Sequence, residues 1–277
     1  MRSVTPTIVI EARKRQSFSI RELWLYRELF YFFSWRDIKV RYKQTALGAG
    51  WAILQPVLAT GIFTIFFNRV AGISSGDKSI PYPLFAYLGL MYWNCFSSAV
   101  NTIANSLIAS SGVLTKIYFP RVIPCLSAAA LSVVDFFFAS TLFIVLLVIY
   151  RILPDLNGLI FFIPALALIV LSALGVGIFF AALNVKYRDV RSALPFITQL
   201  LLFVTPVIYP VSLVPERFRI FIYLNPAAGA IGSIRAAMFG DAINWGGLGI
   251  SFVMTILSII IGLWYFKKTE KNFADII

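Results

Sequence analysis

Residues 34–67 read SWRDIKVRYKQTALGAGWAILQPVLATGIFTIFF. Basic and aromatic residues crowd the opening, and after Lys43 no charged residue follows until Arg69. An uncharged run of that length exceeds the roughly 20 apolar residues that an α-helix needs to cross a bilayer. The Lys and Arg residues stand immediately before it, where the anionic headgroups of the cytoplasmic leaflet attract them. The junction predicts a surface-lying segment that feeds a first membrane crossing, with its N-terminal side in the cytoplasm.

The rest of the chain agrees with a membrane setting. Of 277 residues, 60% are hydrophobic and 13% charged, and the mean hydropathy is +0.85. Soluble domains carry about 25% charged residues. The formal net charge of +12 would suggest a nucleic-acid partner in a soluble protein. Here the basic residues cluster beside hydrophobic runs, so topology explains them and no nucleic-acid partner is expected. Histidine is absent, and Cys95 and Cys125 both fall in apolar surroundings, which argues against a metal or redox site. The polar N-terminus has no apolar core of a signal peptide.

In chain order, residues 1–19 read as a cytoplasmic tail. Residues 20–45 mix Trp24, Tyr26, Phe30, Tyr31, Phe32, Phe33 and Trp35 with frequent charges. Such charges forbid a crossing, while aromatic rings with polar tips suit the headgroup level, so an amphipathic interface helix is expected. Crossings follow at about residues 48–67, 81–105, 121–150, 159–183, 192–208 and 245–266. Between the fifth and sixth, residues 216–241 are too short in their apolar part to cross and are broken by Pro226 and several glycines; they predict re-entrant helices. With six crossings, eighteen Lys and Arg residues fall on the cytoplasmic face and six on the opposite one, which agrees with both termini inside. The expected fold class is an all-α polytopic membrane protein: six transmembrane helices, an N-terminal amphipathic interfacial helix, and re-entrant periplasmic gate helices between spans five and six.

Several blocks resemble the membrane subunits of ABC-2 type exporters, and most of all the branch that moves lipid-linked O-antigen, capsule or teichoic-acid polymers across bacterial inner membranes. They are residues 36–45 (RDIKVRYKQT), Leu47-Gly48, Trp51 and Pro56, then residues 116–121 (KIYFPR), 184–190 (NVKYRDV) and 205–210 (TPVIYP), and Asn225-Pro226. They cover nearly the whole chain after residue 20. The resemblance makes residues 46–277 an ABC-2 type transmembrane domain. It implies a homodimer around a central channel, two copies of a separate ABC ATPase that binds the ATP and Mg, and an undecaprenyl-linked polysaccharide, LPS O-antigen first, as cargo. The inner membrane and its lipids are the implied surroundings. The chain has no GxxxxGK[ST] phosphate loop, so it is expected to be no enzyme and to hold no cofactor or metal of its own.

Site residues follow from position and from the resemblance. The family places its coupling helix between the second and third spans, which nominates Thr115, Lys116, Ile117, Tyr118, Phe119 and Arg121 for ATPase contact. Lys186, Arg188 and Asp189 are a second candidate contact, and a surface salt-bridge network suits them equally. Arg36, Asp37, Lys39, Arg41 and Tyr42 belong to the interface helix and would brace it against the ATPase. A polymer path needs weak, replaceable hydrogen bonds and flat aromatic surfaces, because tight sites would trap the cargo. In the second span Asn94, Ser98 and Asn101 recur on one helical face, which suits a channel or interhelical hydrogen bonds. Family architecture adds Thr60, Phe63 and Phe67 of the first span, Phe196 and Phe203 of the fifth, and Tyr209. Asp135 is the one acid deep in a span, a functional hypothesis by default. Packing against an Asn or Ser of a neighbouring helix is the expected role. The rival readings are an ABC-2 exporter of a drug or small lipid, and an ion-coupled secondary transporter that uses Asp135.

Overall fold

The computed structural model describes residues 20–43, 50–75, 80–114, 116–117 and 119–270. The expected cytoplasmic tail, the Gln44–Gly48 part of the first motif, Thr115, Tyr118 and the C-terminal residues 271–277 lie outside them. The described chain is helical and contains no strand. A short helix α1 (Ile20–Leu25) leads into α2 (Arg27–Lys43), then α3 (Gly50–Phe63), whose last turns widen into a π-helical stretch over Thr64–Val70. Next come α4 (Tyr82–Ala109), the single turn α5 (Ser111–Leu114), α6 (Ile123–Tyr150) and α7 (Leu156–Lys186). The chain ends in α8 (Val190–Val204), α9 (Glu216–Tyr223), α10 (Pro226–Phe239) and α11 (Trp245–Glu270).

The helix at the centre is α4, which packs against α3, α6, α7, α8 and α10. Three tyrosines fix it, each by donating to the backbone of a different neighbour. Tyr87 reaches the carbonyl of Ala139 on α6 at 2.8 Å and Tyr92 that of Phe162 on α7 at 2.9 Å. Tyr82 reaches the carbonyl of Ile208, beyond α8, at 2.6 Å. A buried phenol without a partner costs free energy, so these bonds set the depth of α4 as well as its rotation. On the far side α7 and α11 meet backbone to backbone. A Cβ added at Gly175 would stand 2.6 Å from the amide nitrogen of Ile259, and one at Gly262 would stand 2.4 Å from the carbonyl oxygen of Gly175. Small residues allow this approach where no hydrophobic drive between helices exists.

Among the described residues, four stretches are long and apolar enough to cross a membrane: Gly50–Val70, α6, α7 and α11. They are the first, third, fourth and sixth of the expected crossings. The second and fifth differ for physical reasons. Helix α4 spans 28 residues, about 42 Å at 1.5 Å per residue, but Asn94, Ser97, Ser98, Asn101, Thr102, Asn105 and Ser106 make it too polar to be recognised by hydropathy. Those groups turn toward neighbouring helices or the cavity between them, so α4 is sheltered by its neighbours. Helix α8 has 15 residues, about 22 Å, and is cut off at Thr205-Pro206 because proline has no amide hydrogen to continue the ladder.

The expected re-entrant segment is two short helices, α9 and α10, of 8 and 14 residues, neither able to span. Asn225 starts α10 by accepting the amide N–H of Ala227 at 3.1 Å, with Pro226 at the first helical position. The surface helix α2 departs from a simple amphipathic pattern. Phe33 is buried while Tyr31, Phe32 and Trp35 are exposed around it, so apolar and charged residues do not separate into two faces.

Candidate translocation and coupling site

The polar face of α4 divides into two sets of groups. One set is consumed in packing. Asn184 of α7, itself buried, donates to the carbonyl of Ala104 at 3.0 Å and to Oδ1 of Asn105 at 3.2 Å. Asn105 in turn donates to the carbonyl of Asn101 at 2.8 Å. The other set opens on a cavity of about 180 Å³ between the start of α3, the middle of α4 and α6, and the end of α2. Arg41, Gln55, Asn94, Ser97, Ser98 and Asn101 line it, with Asp135 and Phe136 opposite. Asn101 donates to the carbonyl of Ser97 at 2.7 Å and to Thr198 Oγ1 on α8 at 3.2 Å. Its buried Oδ1 finds no partner among the described residues. Ser132 of α6 donates to Ser98 Oγ at 3.2 Å. The proline of α3 adds to this polarity: Pro56 cannot bond the carbonyl of Ala52, and both residues line the cavity.

Asp135 closes one end. Its Oδ2 lies 2.9 Å from Nη2 of Arg41, and its Oδ1 accepts the hydroxyl of Tyr42. The expected Asn or Ser partner is therefore replaced by an arginine and a tyrosine of the surface helix. The reason is geometric: the C-terminal turn of α2 lies on α6, and the tyrosine ring meets Phe138 edge-on at 5.5 Å. Burial, then the carboxylate, hold the Tyr42 phenol above its ordinary range, so it stays protonated and can donate. Arg41 and Tyr42 thus face a helix of this same chain. Arg36 is engaged on α2, 2.8 Å from Asp37 and with its guanidinium 4.8 Å over the Phe33 ring, and Lys39 is exposed.

At the start of α6, Phe119 is buried against Phe33, ring centroids 5.6 Å apart, with Ile123 completing the cluster. Lys116 and Ile117 of the same connection are exposed. Arg121 donates to the backbone carbonyl of Glu270 at the end of α11. Lys186, Arg188 and Asp189 are exposed after α7, and the Lys186 ammonium rests 5.0 Å over the Tyr187 ring.

The aromatic candidates fall at the other end of α3. Phe63 meets Phe67 at 5.7 Å and Phe203 of α8 at 6.5 Å, both edge-on. Thr60 is buried, and its hydroxyl has no partner among the described residues. Phe196 is exposed, and Tyr209 donates back to the carbonyl of Val204 at 2.9 Å. The polar and aromatic candidates therefore occupy different stretches and do not form one lining within this chain.

One residue that the sequence reading passed over is Arg235, counted there only as a periplasmic charge. It is buried in α10 and donates to the carbonyls of Pro206, at 2.6 Å, Val207, and Phe85, at 3.0 Å. Its guanidinium stacks 3.8 Å from the Phe85 ring centroid. The Thr205-Pro206 break leaves the Pro206 and Val207 carbonyls without helical partners, and a planar fork of donors suits them. Asn225 joins the same knot by donating to Thr205 Oγ1 at 2.6 Å, so two of the sequence motifs meet there. A lone arginine in a Gly/Ala-rich apolar stretch was the available signal.

Long apolar helices around a sheltered polar one, with short helices folded back at one end, define a multi-pass membrane transport protein. Its family follows from comparison: the description "ABC-2 type transporter" matches residues 28–239. The chain belongs to the ABC-2 type transporter family, as a transport subunit and not an ATPase; permeases of this kind work with ABC ATPase subunits. It is 30% identical over 243 residues to the O-antigen export system permease protein RfbA of Klebsiella pneumoniae, covering 87% of this chain and 92% of that one. The protein of the same name from Myxococcus xanthus is 30% identical over 224 residues, 79% and 84% of the two chains. The polysialic acid transport protein KpsM of Escherichia coli is 23% identical over 244 residues, 85% and 91% of the two chains.

Proposed function

We propose that this chain is the permease of an exporter that carries a lipid-linked polysaccharide, an LPS O-antigen first, across the bacterial inner membrane. It works as a homodimer with two copies of a separate ATPase that binds ATP and Mg, and the cargo is undecaprenyl-linked. The observation that carries this reading is 30% identity across 92% of an O-antigen export permease. The geometry gives it support. Neutral amides and hydroxyls around the α4 cavity offer replaceable hydrogen bonds, and the Phe63, Phe67 and Phe203 rings offer faces for sugar. The exposed Lys116 and Ile117, with Lys186, Arg188 and Asp189, are available as the ATPase-facing surface.

In this reading α4 and α8 complete six crossings, and α9 with α10 form the periplasmic gate. Both termini are then cytoplasmic, in keeping with the eighteen-to-six division of basic residues. An ion-coupled mechanism through Asp135 finds less support, because both carboxylate oxygens are already engaged by Arg41 and Tyr42. The test is deletion of this chain in its host. Completed lipid-linked polymer should accumulate inside the cell, with its synthesis intact. Normal surface polymer in the deletion strain would reject the assignment.

A further inference from the structure

The surface helix α2 is attached to the rest of the protein at two separate places. Near its middle, Phe33 packs on Phe119, in the connection that carries the exposed Lys116 and Ile117, and on Ile123, the first residue of α6. At its last turn, Arg41 and Tyr42 hold Asp135 in the first half of α6. About 12 Å of helix separates Phe33 from Arg41, so a single stiff element joins the cytoplasmic connection to a carboxylate on the wall of the polar cavity. We infer that the Arg41–Asp135–Tyr42 clamp is the point at which α2 transmits movement of the 111–121 connection to α6 and the cavity. Asp135 is then a positioning residue whose work is coupling.

The chemistry suits a transmitting joint better than a simple packing contact. Between the long helices packing is served by neutral bonds, such as Asn184 on Asn105 and the three tyrosines of α4, and the buried Arg235 meets neutral carbonyls rather than an acid. A carboxylate is a more expensive choice inside a membrane protein. It gives two oxygens to two donors of the same helix, so α2 can neither slide along α6 nor roll on it without losing one of them. The opposite wall of the cavity is the start of α3, which is the least enclosed of the apolar helices, with 11% of its spanning window buried. A shift of α6 at Asp135 therefore alters the width of the cavity, whose other walls are α3 and α4.

This role presupposes the ATP-driven export proposed above, and the experiment separates the two. The permease with its ATPase would be purified as the wild type and as Asp135→Asn, Tyr42→Phe, Phe33→Leu and the exchanged pair Arg41→Asp with Asp135→Arg. Three quantities are compared: co-purified ATPase, ATP hydrolysis, and polymer exported per ATP in vesicles loaded with the host's lipid-linked polymer. Asp135→Asn and Phe33→Leu should bind the ATPase normally and hydrolyse ATP at near wild-type rates. Their export per ATP should fall about tenfold, the scale of an ordinary coupling free energy, and the exchanged pair should recover part of it. Unchanged export per ATP in either variant would overturn the inference, as would hydrolysis and export falling in proportion. If Asp135→Asn does not assemble, Tyr42→Phe and Phe33→Leu decide by the same ratio.

A wild-type complex that hydrolyses ATP but exports no polymer removes the export reading instead. The clamp is then judged by a spin label at the exposed position 137 of α6 (Phe137→Cys). ATP should shift its signal in the wild-type background and not with Asp135→Asn, and an equal shift in both would reject the clamp.

Discussion

Arg41 of α2 and Asp135 of α6, 94 positions apart in the sequence, stand 2.9 Å apart where α2 meets the helix bundle. The acid is well covered, with 14% of its side chain exposed, and the arginine less so, with 40%. Removing one partner of a buried pair costs about 3–5 kcal/mol, whereas exposed pairs contribute about 0–1 kcal/mol. The half-open geometry places this pair between those limits.

That relation predicts an asymmetry measurable by thermal unfolding in detergent. Arg41→Gln leaves a largely buried carboxylate with only the Tyr42 hydroxyl and should destabilise by about 1–3 kcal/mol. The double variant Arg41→Gln with Asp135→Asn carries no charge to strand. It should recover about half of the loss or more, giving a coupling energy of about 1 kcal/mol in a double-mutant cycle. Additive losses would mean that the two groups do not interact in the folded protein.

The second prediction concerns Gly89. A Cβ at this position on α4 would fall 1.8 Å from Arg235 Nη2 and 2.8 Å from the carbonyl oxygen of Val207. The first atom belongs to a guanidinium bound to three carbonyls, and the second is backbone, so neither yields cheaply. Gly89→Ala should destabilise by about 2–4 kcal/mol, through loss of these charge-assisted bonds, and should expose residues 205–240 to protease. Arg235→Lys should behave similarly, because an ammonium cannot reproduce the fork. The matched control is Gly232→Ala, where an added Cβ meets nothing within 4 Å and helix propensity favours alanine by up to about 1 kcal/mol.

These two sites mark what the sequence discloses and what it hides. Apolar runs, their basic flanks and the Asn225-Pro226 and Thr205-Pro206 breaks are local signals, and the helices they predict lie within a few residues of those found. Partners across the bundle leave no such trace. Nothing near Asp135 names Arg41, and nothing near Asn105 names Asn184. The polar stripe of α4 was visible as a helical face, but which of its groups reach the cavity, as Asn94, Ser98 and Asn101 do, and which pack, as Asn105 does, depends on which helices lie opposite. Hydropathy also misjudges α4, because polar groups that find partners inside a bundle count against crossing only in an isolated helix.

That division gives the third prediction. Asn184→Ala removes two interhelical hydrogen bonds between α7 and α4 and leaves Asn105 short of a donor. It should lower stability by about 1–2 kcal/mol, the usual range for such bonds in membrane bundles, and lower export only as far as folded protein is lost. Asn94→Ala, on the cavity wall, should leave unfolding unchanged within about 0.5 kcal/mol while changing the rate of export per folded molecule. Thermal unfolding and surface polymer measured on the same samples separate the two effects. A reversed pattern would place the cargo contacts on the α7 side of α4.

The fourth prediction tests the close contact of α7 and α11. At Gly175 an added Cβ would meet Ser258 Oγ at 2.3 Å and the backbone of Ser258 and Ile259 at 2.6–2.7 Å. A serine hydroxyl can rotate away, but the main chain of α11 cannot, so the helices must separate. Gly262 sits on the matching turn of α11, where the added carbon would strike the carbonyl of Gly175. Overpacking of a tight interface costs about 1–3 kcal/mol, and a β-branched residue adds rotamer conflict within the helix. Gly175→Ala should therefore lower the midpoint of thermal unfolding in detergent, Gly175→Val should lower it further and cut membrane yield, and Gly262→Ala should match Gly175→Ala. Gly249→Ala on the same helix α11, with nothing within 4 Å, should be neutral. Equal tolerance at positions 175, 262 and 249 would mean that α7 and α11 do not approach this closely in the membrane.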